Sequence, residues 1–138
     1  MRAPQVTIQN DLVEKENAIS LLLIDDNPLV LETIKQLLKK THYELLLADD
    51  PFNALCSLVE NKPSVVFIDA AMSKLHGYQF CALVKAQAKY QYIPLVVVLE
   101  YANKVEQAKA LAAGADAVLV KPFGENELLN IVNANGGK

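Results

Sequence analysis

From residue 19 onward, short runs rich in leucine and β-branched residues alternate with longer stretches in which apolar side chains recur every three or four positions. The runs ISLLLID (19–25), YELLLA (43–48), SVVFID (64–69), PLVVVL (94–99) and DAVLVK (116–121) predict strands. Three of them are nearly uninterrupted in apolar residues, the pattern of strands covered on both faces in a parallel sheet. Between them, Val30, Ile34, Leu37 and Leu38 predict one helical face, Phe52, Leu55, Leu58 and Val59 a second, and Val105, Ala108, Leu111 and Ala112 a fourth. A third helix is expected over about residues 77–89 and a short last one over about 125–134. Asp26-Asn27-Pro28 and Asp50-Pro51 each set a capping side chain directly before a proline, the signature of a helix start.

Alternation of this kind predicts an α/β fold: a doubly wound, five-stranded parallel sheet with right-handed crossovers and helices on both faces, a flavodoxin-like three-layer sandwich. In such folds ligands bind outside the carboxyl ends of the strands, where the strand order reverses. One domain is expected over residues 19–135. Residues 1–18 carry no sustained period and a charged patch from Asp11 to Glu16, and are expected to form a flexible leader; the NGGK end is expected to fray.

Bulk properties narrow the function. The 138 residues suit one core, and a net charge of −3 from 13 basic and 16 acidic residues gives no basic surface for nucleic acid. No apolar run approaches the roughly 18 residues of a membrane span, and the polar start lacks the core of a signal peptide, so a cytoplasmic location is expected. Cys56 and Cys81 are too few and too far apart for a disulfide framework or a zinc site and are expected to be small buried hydrophobes.

Charged residues stand at three predicted strand ends: Asp25 and Asp26 after the first, Asp69 closing the third, Lys121 after the fifth. Each has a plain explanation in isolation, as a cap, a turn or a strand exit. In a parallel sheet, however, all four converge on one rim. Adjacent carboxylates repel and lose hydration there, so they need a compensating cation, hydrogen bonds or solvent. Three carboxylates form a hard oxygen site suited to Mg²⁺. A carboxylate beside such an ion can act as nucleophile toward a phosphoryl group, with a lysine neutralising charge on the phosphoryl oxygens.

The set LLLIDDN, VVFIDAAM, LHGYQ, IPLVVVL and GADAVLVKPF, in this order, resembles the receiver domain of two-component response regulators over about residues 19–135. The resemblance implies Asp69 as phosphoacceptor, Asp26 as main metal ligand, Asp25 acting on the metal through water, and a backbone carbonyl from Ala71. It further implies Lys121 as the phosphoryl contact and a cis bond before Pro122. A sensor histidine kinase or phosphotransfer protein is implied as donor and a downstream effector protein as partner, with neither nucleic acid nor membrane bound and no enzymatic turnover of a substrate. The stretch GYQFCALVK resembles stand-alone receivers of type IV pilus twitching motility.

Two departures bear on switching. The hydroxyl residue usual at the end of the fourth strand falls at Leu99, followed by Glu100 where a small residue is usual; no Ser or Thr occurs after Ser73. The aromatic residue usual three positions before the lysine is Val118. Ser73 stands where proline is common, and His76, in place of an acid before Gly77, is expected to be an exposed helix-start residue. Weakened switching is therefore expected, with an unswitched scaffold as the alternative. A phosphoaspartate hydrolase of the haloacid dehalogenase type needs an Asp-x-Asp pair, but Asn27 and Ala71 occupy the second acid's place. A dinucleotide site needs glycines between Asp25 and Leu29, and there are none.

Overall fold

The computed structural model describes residues 19–72 and 76–135. The expected leader, Ser73 and the glycines of the last segment lie outside the described residues. Five strands, β1 (Ser20–Ile24), β2 (Glu44–Ala48), β3 (Val65–Asp69), β4 (Leu95–Leu99) and β5 (Ala117–Val120), form one parallel sheet in the order β2-β1-β3-β4-β5. Helices α1 (Pro28–Leu37), α2 (Pro51–Asn61), α3 (Gly77–Lys85), α4 (Lys104–Ala112) and α5 (Glu125–Asn135) connect and complete the units. The expected architecture holds, and each predicted strand matches to within one residue at either end.

Strand periodicity divides the core into two layers. Leu21, Leu23, Val65 and Phe67 point toward Leu31 and Ile34 of α1, Leu38 at its C-cap, and Leu128 and Val132 of α5. Leu22, Ile24, Val66 and Ile68 point to the other side, toward Ala54 and Leu58 of α2, Phe80, Cys81 and Val84 of α3, and Ala110 of α4. Because both faces are covered, β1, β3 and β4 read as unbroken apolar runs. The caps are where the proline signals put them. Asn27 Oδ1 accepts from the Leu29 N–H at 3.0 Å, and Asp50 Oδ1 accepts from Phe52 and Asn53 at 2.8 Å each.

Three expectations need correction. The third helix ends at Lys85 rather than near 89, because the Lys85 ammonium draws the chain back on itself by donating to the carbonyls of Gln91 (2.9 Å) and Ile93 (3.1 Å). The fourth helix is rotated from the face predicted, and the second in part, since Leu58 is buried and Leu55 packs against the core as expected. Phe52 and Val59 are exposed while Pro51 and Ala54 are buried, and Val105, Ala108, Leu111 and Ala112 all face outward while Ala110 is fully buried. In both cases a small alanine allows the helix to approach the sheet, and the larger apolar residues lie on other faces of it. Cys56, two positions beyond Ala54 on α2, consequently points outward; Cys81 alone is buried as expected.

Candidate functional site

The strand order reverses between β1 and β3, whose carboxyl ends deliver Asp25 and Asp69 to the same rim. These are the only buried charged side chains among the described residues. A carboxylate oxygen from each of Asp25, Asp26 and Asp69 lies within 4.8 Å of the others, with Asp26 exposed at the mouth. Lys121, just beyond β5, bridges the pair, its Nζ 3.3 Å from Asp25 Oδ2 and 3.2 Å from Asp69 Oδ1. The four charged residues selected from sequence therefore meet.

Local backbone chemistry fixes the two buried acids. Asp25 Oδ1 accepts from the Asn27 N–H at 2.9 Å, and Asn27 in turn caps α1, so the turn after β1 and the start of α1 are tied through consecutive side chains. Asp69 Oδ2 accepts from the Ala71 N–H at 3.2 Å. Gly77 opens α3 directly beneath this turn: a Cβ there would stand 2.5 Å from the Asp69 carbonyl oxygen and 2.9 Å from Ala70 Cα. No other residue type fits that approach. The Lys121–Pro122 bond is cis, as the resemblance implied.

Burial raises the Asp25 carboxyl above its ordinary value and the Asp69 charge adds to the rise, while the Asn27 amide and Lys121 oppose it. For Lys121, burial acts to lower the ammonium, but Asp25 and Asp69 outweigh it and the net shift is upward. Among the described residues, the site is thus an overcharged acidic cluster held by one lysine. Three carboxylates at these separations supply the oxygen donors that Mg²⁺ takes, with the solvent-facing side left for water.

Leu99 and Val118, the two positions where the sequence departs from the resemblance, lie on neighbouring strands. Leu99 ends β4 and is 4% exposed; Val118 in β5 is partly buried, and both pack in the same core layer. His76 is exposed and caps α3, with Gln79 Oε1 accepting from its N–H at 3.2 Å. Sequence reading missed two polar contacts. The Tyr78 hydroxyl donates to Glu106 Oε1 at 2.5 Å, joining α3 to α4. Lys85 Nζ meets Asp116 Oδ2 at 2.9 Å, and that oxygen also accepts from the Leu95 N–H at 2.8 Å. The GAD triplet was a signal for the second, and nothing in the local pattern marked the first.

The family model described as response regulator receiver domain matches residues 21–133. Protein PilG of Pseudomonas aeruginosa is 31% identical over 122 residues, which cover 88% of this chain and 90% of PilG. Other curated response regulators, at 32–33% identity, are matched over about half of their own length. Among solved structures, the receiver domain of a sensor histidine kinase from Pseudomonas aeruginosa PAO1, with magnesium coordinated in its active-site cleft, superposes with a TM-score of 0.79 at 26% identity. It covers 88% of this chain and 99% of that one. The chemotaxis response regulator CheY4 of Vibrio cholerae gives a TM-score of 0.79 at 25% identity, over 85% of this chain and 98% of that one.

Proposed function

Because this chain belongs to the response regulator receiver domain family, we propose that it accepts a phosphoryl group on Asp69 in a Mg²⁺-dependent reaction and signals by docking to a partner protein, with weakened switching. The observation that carries this reading is the buried Asp69 carboxylate, 3.2 Å from Lys121 and clustered with Asp25 and Asp26. Mg²⁺ would be held by Asp25, Asp26, Asp69 and the carbonyl of Ala71. When bound it supplies positive charge to offset the negative phosphoryl oxygens.

The chain's own residues do the rest. An Asp69 oxygen forms a bond to phosphorus as the bond from phosphorus to the donor's leaving atom breaks. The leaving group keeps that electron pair and takes a proton from solvent. Lys121 neutralises the phosphoryl oxygens, and the Ala71 N–H restrains the carboxylate through its second oxygen. The donor is a sensor histidine kinase or phosphotransfer protein and the recipient of the signal a downstream effector protein, in the cytoplasm, without nucleic acid or membrane. Among the described residues no helix is long and apolar enough to cross a membrane. Activity is limited to self-phosphorylation and autodephosphorylation.

A second reading, a scaffold that partners read without phosphorylation, is favoured by Leu99 and Val118. Leu99 has no hydroxyl to turn toward the phosphoryl group, and Val118 no ring to rotate behind it, so the two states differ little in contact energy. Intact-mass analysis after incubation with Mg²⁺ and a small acyl phosphate decides between them. One added phosphoryl mass, lost in Asp69→Ala, is expected; an unmodified chain leaves the scaffold.

A further inference from the structure

Glu100 is the first residue after β4, flanked on the rim by Asp69 at the end of β3 and by Lys121, whose N–H donates to the Leu99 carbonyl at 2.8 Å. Its Oε1 lies 3.5 Å from Lys121 Nζ. The ammonium therefore serves three carboxylates, two of them buried and the third, Glu100, reaching in from solvent with 64% of its side chain exposed. A cavity of about 170 Å³ opens beside Asp69, lined by Ala71, His76, Leu99, Glu100 and Glu106 among others and, among the described residues, by no lysine or arginine. Among the described residues, an anion beside Asp69 meets Lys121, which lies 3.2 Å from that carboxylate, and finds that cation engaged.

We propose that Glu100 is a built-in competitor for Lys121: its carboxylate occupies the ammonium that an incoming phosphoryl group needs, and must swing away before that group is held. The inference rests on the phosphoryl-acceptor reading and names a positioning residue within it. Three features make Glu100 suited to the role. It is negatively charged, as a phosphoryl group is. It sits on a loop rather than on a strand. Its exposure leaves it free to move into water, whereas Asp25 and Asp69 are buried and fixed by backbone amides. An exposed ion pair of this kind is weak, so displacement is easy and its effect is graded rather than absolute. Screening by salt should weaken it further.

The test is binding of beryllium fluoride, a phosphoryl probe, in the presence of Mg²⁺, read by NMR titration of wild type, Glu100→Gln and Glu100→Asp. A second readout needs no phosphoryl chemistry: the Lys121 Cε chemical shift in the metal-free protein, with Glu60→Gln as surface control. The expected result is about fivefold tighter probe binding in Glu100→Gln, diminishing in high salt, with Glu100→Asp close to wild type. The Lys121 resonance should move in Glu100→Gln and not in the control. Tighter binding with an unmoved Lys121 resonance would mean general charge repulsion, and overturns the proposal. Equal binding by wild type and Glu100→Gln also overturns it while sparing the phosphoryl-acceptor reading. Failure of both proteins to bind the probe overturns the two together.

Discussion

Lys121→Met, assayed with and without Mg²⁺, measures how far the acidic rim depends on a single cation. Lys121 contacts Asp69 and Asp25 at 3.2 Å and 3.3 Å, and the side chains of those acids are only 10% and 6% exposed. At an effective dielectric constant of about 20, each contact is worth about 5 kcal/mol of attraction, against at least about 3.5 kcal/mol of repulsion between carboxylate oxygens that lie within 4.8 Å of each other. Desolvation consumes much of that attraction in the intact protein. Removing one partner of a buried pair nonetheless costs about 3–5 kcal/mol, because the other charge stays buried. Here one acid can take up a proton and the rim opens to water, which places the loss near 3 kcal/mol, or roughly 12 °C in melting temperature for a chain of this size. On the proposed function, Mg²⁺ would neutralise the same acids as the ammonium. Saturating Mg²⁺ should therefore stabilise the variant more than wild type and narrow the gap. Urea unfolding of both proteins in both conditions gives the four free energies. A loss under about 1 kcal/mol, or equal stabilisation of both proteins by Mg²⁺, would show that Lys121 and the metal do not share these carboxylates.

Asp25 titrates higher in the folded chain than in the unfolded one, so its contribution to stability is present below the ordinary carboxylate value and lost as pH rises through the raised value. Asp25→Asn should accordingly raise the melting temperature of the metal-free protein at neutral pH, leave it little changed in acid, and weaken stabilisation by Mg²⁺; a lower neutral-pH melting temperature would contradict the burial argument. Gly77→Ala should cost about 1–3 kcal/mol and lower Mg²⁺ affinity together, since the new Cβ must push the Asp69–Ala70 backbone aside; lost stability with unaltered Mg²⁺ affinity would show that the displacement does not reach the site. A thiol reagent should modify Cys56 quickly and Cys81 only on unfolding, because Cys81 is buried and its thiol is pushed up to about 12 chiefly by that burial; fast modification of both in the native protein would refute the packing of α3.

The parts of this molecule most legible from sequence are those governed by short periods. Runs such as VVFID and LVVVL announce strands buried on both sides, and parallel strands bring their last residues to one rim, so Asp25, Asp69 and Lys121 could be brought together without coordinates. Proline after a capping residue likewise located the starts of α1 and α2. Helix rotation was less legible. On α4 the stripe Val105, Leu111 and Ala112 carries the apolar period, but the sheet selects Ala110, because backbone distance rather than side-chain hydrophobicity decides which face docks. The end of α3 depends on Lys85 donating to the backbone carbonyls of Gln91 and Ile93, and the contact of Glu100 with Lys121 on a side chain remote in sequence; the apolar period carries no information about either.

The two bridging lysines mark opposite poles of the sheet. At the amino ends of β4 and β5, Lys85 faces one carboxylate and two carbonyls, and Asp116 is further satisfied by the Leu95 amide: charge and hydrogen bonding close on themselves. At the carboxyl ends, Lys121 faces three carboxylates with a fourth acid, Asp26, alongside. One pole is thus locally relaxed and the other locally frustrated, and the frustration is confined to side chains at loop junctions. Substitutions at the unsettled pole, at Leu99 or Glu100, are therefore expected to leave the pairing of Lys85 with Asp116 untouched.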